Sequence, residues 1–222
     1  WKDMIEIGRI RNIVYSGFII IDYNHDVIKE DMKDILDITL KDLSLNGREL
    51  FNNKGELGIH GYNHNPLLYY SKDINFEGLN YKPWITQQDM AASTQEVLKY
   101  VKELFGKKVK LYTYVPPSNM MKEEGVKVVV ENYPDLKTIS SVFYGTDSEG
   151  VYVQEVGRNK LFPNIYNLPR FSSGFYYDSD EMWNIFNAFA IYGYWSHFVH
   201  PDDLISTDRS QNKTWEQLKI EF

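Results

Sequence analysis

The sequence predicts an α/β fold on a parallel sheet, either closed as a barrel or open. Short apolar runs of strand length alternate with amphipathic runs of helix length, the order that a parallel sheet requires. Two histidine clusters each follow a strand-like run, which is where such folds build their sites. No linker, internal repeat or low-complexity tract divides the 222 residues, so residues 1–222 are expected to form a single domain.

Residues 1–13 read as the end of a helix with Met4, Ile7 and Ile10 or Arg11 on one side. Gly17-Phe18-Ile19-Ile20-Ile21-Asp22 is apolar up to its aspartate, the mark of a strand buried on both faces. Residues 28–44 repeat Ile28, Met32, Ile35, Leu36, Leu40 and Leu43 at helical spacing. A strand over Glu56–Ile59 runs into His60, and a long loop rich in Tyr, Asn and Pro follows to residue 84. Thr86 with Asp89 resembles a capping box. It opens a helix with Met90, Val97, Leu98, Val101, Leu104 and Phe105 inward and Gly106 as its stop.

Leu111–Val115 is a strand ending at Pro116-Pro117, followed by a helix over about 121–132 and a strand near 138–143. Residues 144–178 are irregular, with short strands expected. A helix near 180–190 carries Met182, Ile185, Phe186 and Phe189. A strand over Tyr192–Val199 ends in His200-Pro201-Asp202-Asp203, and a last helix begins near Thr214. The chain opens inside a helix at Trp1 and closes at the start of another, so a fold truncated at both ends is expected.

Composition narrows the function. The net charge of -7 argues against nucleic acid as a partner, because phosphate binding requires a basic face. No apolar run approaches the length that crosses a bilayer. The absence of cysteine excludes a disulfide framework and any thiolate metal site. Aromatic residues make up 15%, with 17 Tyr and 5 Trp, side chains on which sugar rings stack as readily as they pack in a core.

Four of the five histidines lie in the two clusters. In His60-Gly61-Tyr62-Asn63-His64 the imidazoles are four apart, a spacing that lets both reach one ion if the segment turns like a helix. Neutral imidazole suits zinc and similar divalent ions, with a carboxylate commonly completing the set. In Ser196-His197-Phe198-Val199-His200 the two rings point to opposite faces of a regular strand, so one can face a site while the other packs in the wall.

The run Gly55-Glu56-Leu57-Gly58-Ile59-His60-Gly61-Tyr62-Asn63-His64 resembles the second motif of the NodB-type polysaccharide deacetylases (carbohydrate esterase family 4-like), which supplies two metal-binding histidines. Val115-Pro116-Pro117-Ser118-Asn119 lies where that family has its proline motif, and the strand ending in His197 or His200 resembles its final motif. The nearest relatives suggested are the exopolysaccharide deacetylases of biofilm systems. The resemblance implies a distorted (β/α) barrel, a divalent metal with zinc first in line, and hydrolysis of N-acetyl groups on a bacterial polysaccharide. It also implies an extracellular or cell-envelope location. Carried over, His60 and His64 are metal ligands, Ser118 is a backbone oxyanion donor, and His200 or His197 is the acid.

The family's first strand ends in an Asp-Asp pair, one the base and the other the third ligand. Either Asp22 is that ligand, with Asp26 near it, or the pair lies upstream of Trp1. Val115 replaces the motif's arginine, for which Arg170 is a candidate substitute. Tyr62, Asn63, Tyr114, Pro117 and Asn119 are candidate substrate contacts, and Trp84, Tyr112, Phe175 and Tyr176 could extend a sugar groove. Three other functions remain open. One is a non-catalytic glycan-binding or scaffold domain. A second starts from His200-Pro201-Asp202-Asp203, which resembles a motif of the PIG-L/LmbE-type zinc deacetylases. A third, a glycosidase, would need paired carboxylates, for which Glu56, Glu155 and Asp178 are available.

Overall fold

The computed structural model describes residues 2–22, 33–72, 74–78, 81–140, 142–144, 152–153, 155–176 and 178–222. These residues form two compact units, Trp1–Asn167 and Leu168–Phe222.

The first unit opens with α1 (Lys2–Arg11), which buries Ile5 and Gly8; of the side read as Met4, Ile7 and Ile10 or Arg11, Met4 and Ile7 are half-buried and Ile10 and Arg11 exposed. Then come β1 (Ser16–Ile19), α2 (Lys33–Asn52), β2 (Glu56–Ile59), α3 (Gln87–Phe105), β3 (Thr113–Tyr114), β4 (Met120–Met121) and α4 (Glu123–Asn132). Short strands follow: β5 (Thr138–Ile139), β6 (Val142–Tyr144), β7 (Tyr152–Val153), β8 (Gly157–Arg158) and β9 (Tyr166–Asn167). The main sheet has the order β1-β2-β3-β5-β9-β8. Every neighbouring pair in it is parallel except β8 with β9. Strands β4, β6 and β7 form a second, smaller sheet, so the single strand expected near 138–143 divides between two sheets.

The register explains the core. Ile19, Ile59, Tyr114, Ile139 and Asn167 lie in one row across five strands, each at most 1% exposed. Side chains in register on adjacent strands share a face, so this buried row, apolar apart from Asn167 and the Tyr114 hydroxyl, seals that side of the sheet. Helix α3 covers the core with Met90, Thr94, Val97 and Val101, spaced four, three and four as one helical face requires. Its start is fixed by Thr86, whose hydroxyl accepts from the Asp89 N–H at 3.1 Å and donates to the Asp89 carboxylate at 2.7 Å. Its end is Gly106 at φ 90°. Helix α2 runs to Asn52, eight residues past the expected end, and sets Phe51 edge-on to Phe105 of α3 at 5.7 Å. The expected first turn of α2, residues 28–32, lies outside the described residues.

The long loop 61–84 is laced to itself. Trp84 donates its backbone N–H to the Leu68 carbonyl at 2.9 Å and its indole N–H to that of Pro66 at 3.1 Å. Asn65 donates to the Lys82 carbonyl at 2.5 Å. Leu68, Ile74 and Phe76 bury themselves with Met120, and Tyr81 packs against this small cluster. Helix α4 approaches the loop so closely that a Cβ on Gly125 would stand 2.7 Å from the Leu67 carbonyl oxygen.

The second unit holds β10 (Ser172–Ser173), α5 (Ser179–Tyr192), β11 (His197–Phe198) and α6 (Trp215–Glu221). Strands β10 and β11 pair in parallel. Tyr192, expected to open a strand, instead ends α5, because Gly193 adopts the left-handed conformation at φ 72° that stops a helix. Helix α5 buries Ala188, while Trp183, Phe186 and Phe189 are 70%, 63% and 53% exposed. No helix among the described residues is long and apolar enough to cross a membrane.

Candidate metal centre

His60 leaves the end of β2 between two neighbours. Its backbone N–H donates to the Ile19 carbonyl at 2.8 Å, and the Val115 N–H donates to the Ile59 carbonyl at 2.8 Å. The sheet ladder therefore fixes the backbone on both sides of the ring. His60 Nδ1 stands 2.7 Å from the Val115 carbonyl oxygen. A carbonyl only accepts, so Nδ1 carries the proton and the coordinating lone pair belongs to Nε2. A histidine that ligates a metal is typically braced in this way through its other nitrogen.

The next four residues turn back over the sheet. Gly61 has φ 96°, a left-handed value, and the position where a Cβ would stand is 3.1 Å from Pro117 Cγ. Glycine thus meets a backbone need and a steric one at once. The Tyr62 carbonyl accepts from the Ile21 N–H at 3.1 Å and from the Asp22 N–H at 2.7 Å. This pulls the chain off the β1 ladder after Ile19, so β1 is shorter than the apolar run, and it ties Asp22 to the histidine loop. Asp26, the other candidate acid, lies outside the described residues. Burial raises the pKa of the Tyr62 phenol, and the Asp22 charge adds to the rise.

His64 sits at φ 55°, and its ring centre lies 5.0 Å from that of His60 with the planes at 71°. An ion about 2.0–2.1 Å from one nitrogen of each ring lies about 3.2 Å from either ring centre, so two such rings at a tetrahedral angle stand about 5 Å apart. The observed edge-to-face separation is compatible with that spacing, and two imidazoles suit a borderline divalent ion such as zinc. No third His, Asp or Glu among the described residues joins the pair with donor atoms all within 4.8 Å of one another.

The residues expected around this pair divide. Tyr114 is 1% exposed within the sheet core, where burial drives its phenol pKa far upward, and its hydroxyl has no hydrogen-bond partner among the described residues. It lines no groove. Pro117 is buried against Gly61. Asn63 accepts from the Asn65 N–H at 3.3 Å. Ser118 is exposed at φ 51° and Asn119 half-buried at φ 60°. Trp84 is half-buried and Tyr112 exposed. Glu56 opens β2, so it lies at the opposite end of that strand from His60, where it accepts from the Thr113 hydroxyl at 2.9 Å.

One residue at this site went unassigned in the sequence. The Tyr81 hydroxyl is hydrogen-bonded to Ser118 Oγ and lies 3.4 Å from His64 Nδ1. It comes from the far end of the long loop, where nothing in residue spacing marks it among 17 tyrosines.

The second unit separates the other two histidines. His197 Nε2 lies 2.8 Å from the Gly174 carbonyl, so that nitrogen carries the proton. Nδ1 then accepts from the Ser172 hydroxyl at 2.8 Å, and Ser172 Oγ accepts the Trp195 indole N–H at 2.6 Å. Burial pushes the His197 pKa below its ordinary value, against the Gly174 carbonyl, Glu181 and Asp203, which act the other way. Both ring nitrogens serve the fold here, which is the part of a wall residue.

His200, Asp202 and Asp203 bring donor atoms within 4.8 Å of one another. However, Arg209 donates to Asp203 at 2.6 Å and to Asp202 at 2.7 Å, and the His200 N–H donates to Asp203 at 2.9 Å. One guanidinium thus bridges both carboxylates and offsets one of their two negative charges. Arg170 is stacked over the Phe198 ring at 3.9 Å, and burial pushes its pKa down to about 10. Phe175 is buried between Trp215 and Phe222, and Tyr176 lies beneath the Lys213 ammonium, 5.8 Å from ring centre to nitrogen.

A parallel-rich α/β sheet with an imidazole pair where a strand ends defines an α/β protein with a candidate metal centre. The chain belongs to the family described as "Uncharacterised protein conserved in bacteria (DUF2194)", whose model matches residues 1–222. No curated protein matches it. Among solved structures it is similar to a mutant of BA3943, a CE4 family pseudoenzyme, at 15% identity and a TM-score of 0.41, over 62% of this chain and 38% of that one. Wild-type BA3943 from Bacillus anthracis is similar at 14% identity and a TM-score of 0.39, over 62% and 37%. The chain thus spans well under half the length of those proteins.

Proposed function

We propose that this chain is a metal-dependent hydrolase domain that removes N-acetyl groups from a bacterial polysaccharide, built on a distorted (β/α) barrel of the polysaccharide deacetylase type. The reading is carried by the two imidazoles 5.0 Å apart, one of them aimed by the Val115 carbonyl. His60 and His64 hold the ion. Asp22, tied to the same loop through its backbone N–H to the Tyr62 carbonyl, does not bring its carboxylate within ligand reach of both rings. The base and third ligand are therefore either Asp22 after a shift of its side chain or an acid pair upstream of Trp1. A divalent ion, zinc first in line, supplies a Lewis acid and a water of lowered pKa when bound. Pro117 packs against Gly61, and its neighbour Ser118 is hydrogen-bonded to Tyr81, whose hydroxyl lies 3.4 Å from His64 Nδ1. Residues of the second unit, His200 and Arg170 among them, are not needed for this reading.

The test is metal content and acetate release measured on the same preparation. The chain should take up close to one zinc, free acetate from an N-acetylated glucosamine oligosaccharide, and lose both on His60→Ala. A chain that binds no divalent ion overturns the reading.

A second reading is a metal-holding glycan-binding domain without catalysis. It is favoured by Val115, which stands where the resembling motif has an arginine and contributes only its backbone carbonyl. Zinc uptake and oligosaccharide binding without acetate release would select it.

A further inference from the structure

We infer that Tyr81 is the positioning residue of this site, and that it makes the Ser118 hydroxyl a hydrogen-bond donor toward the carbonyl or carboxylate oxygen of a bound acetyl group. The inference rests on the metal-site reading above and extends it to residues outside the histidine motif.

A phenol has one hydrogen and here has two polar neighbours, His64 Nδ1 and Ser118 Oγ. If His64 offers Nε2 to an ion, its Nδ1 carries a proton, and the Tyr81 oxygen 3.4 Å away is placed to accept it. The Tyr81 hydrogen then goes to Ser118 Oγ. The Ser118 hydrogen is thereby turned away from Tyr81, on an exposed residue. Three groups thus take one polarity, set at the imidazole and delivered at the serine. With the opposite tautomer the phenol hydrogen goes to His64 Nδ1, and Ser118 spends its own hydrogen on Tyr81.

The backbone agrees with a site that holds these groups against their preference. His64, Ser118 and Asn119 are non-glycine residues at φ 55°, 51° and 60°. For His64 and Ser118 such a conformation costs about 1–3 kcal/mol and persists only where neighbours over-determine it, whereas asparagine adopts it readily. All three lie in the two segments that Tyr81 links. The Tyr81 ring is held in turn by the cluster of Leu68, Ile74, Phe76 and Met120, and its backbone N–H donates to the Phe76 carbonyl at 2.8 Å. A phenol fixed at both ends is suited to brace an outer-shell hydrogen bond.

Zinc titration and acetate titration of the zinc-loaded chain, both by calorimetry, test this on wild type, Tyr81→Phe and Ser118→Ala. Tyr81→Phe should weaken zinc binding by about 10–100-fold, the usual effect of losing an outer-shell partner. Ser118→Ala should leave zinc affinity within about 3-fold while weakening acetate by about 10-fold, the effect of one lost hydrogen bond. A fold defect confined to Tyr81→Phe leaves the serine arm decisive, since Ser118 is exposed. Wild type that binds no zinc overturns both the site reading and this inference. Wild type that binds zinc, with Tyr81→Phe equal to it or Ser118→Ala indifferent to acetate, overturns the inference alone.

Discussion

His60 and Val115 are joined side chain to backbone, Nδ1 to carbonyl oxygen, at 2.7 Å. The contact crosses from the end of β2 to the end of β3, so the ring is oriented by the sheet rather than by the loop that follows it. Because the acceptor is a main-chain atom, the identity of residue 115 matters little to it. Val115→Ala should therefore keep zinc affinity within about 3-fold, whereas His60→Ala should lower it by more than the roughly 100-fold upper range of an outer-shell loss. Zinc calorimetry on the two variants, with circular dichroism as the control for folding, checks the contrast.

Gly61 should tolerate no side chain. Its φ of 96° is strained for any L-residue, and a Cβ there would press on Pro117 Cγ at 3.1 Å. Gly61→Ala is expected to cost about 1–3 kcal/mol and to spread the two loops. Urea denaturation reports the first effect and reduced zinc affinity the second.

Tyr114 and Tyr133 bring two phenols into the core, each at most 2% exposed, whose hydroxyls have no partner among the described residues. A buried hydroxyl without a partner costs free energy that its removal recovers. Tyr114→Phe and Tyr133→Phe should each be neutral or stabilising by about 1 kcal/mol, read from the urea midpoint. Marked destabilisation would mean that the hydroxyls are satisfied in solution.

His197 should give the chain an acid-side weakness. Burial holds it neutral in the folded state, with a pKa below the ordinary 6.5. The unfolded chain takes up a proton near that value and the folded chain does so only at lower pH. The contribution is thus complete above about pH 6.5 and is lost as the pH falls toward the folded value. Urea midpoints between about pH 8 and pH 5 should fall more steeply for wild type than for His197→Gln.

Local signals made most of the fold legible. The capped, periodic helix α3 starts and stops where Thr86 and Gly106 indicate, since both ends are governed by residues next to them. The Glu56–Ile59 strand and the histidine pair beside it are legible for the same reason. Strand ends were less so. Ile20, Ile21 and Asp22 continue an apolar run, yet Tyr62, forty residues on, draws them off the ladder. Tyr81 was invisible because its role depends on how the 61–84 loop folds back to place it beside Ser118. His197 and His200 are alike in sequence, and only the carbonyl of Gly174 and the hydroxyl of Ser172 distinguish the first as a wall residue.

Helix α5 leaves an unusual imprint on how the chain should behave in a tube. Its fourteen residues present Trp183, Phe186 and Phe189 to water, and none of the fourteen is basic. Such a greasy, unbuffered stripe promotes self-adhesion as protein is concentrated. Retention on a phenyl column and light scattering that climbs with concentration should both drop on Phe186→Glu, and that one change should make the purified chain easier to handle.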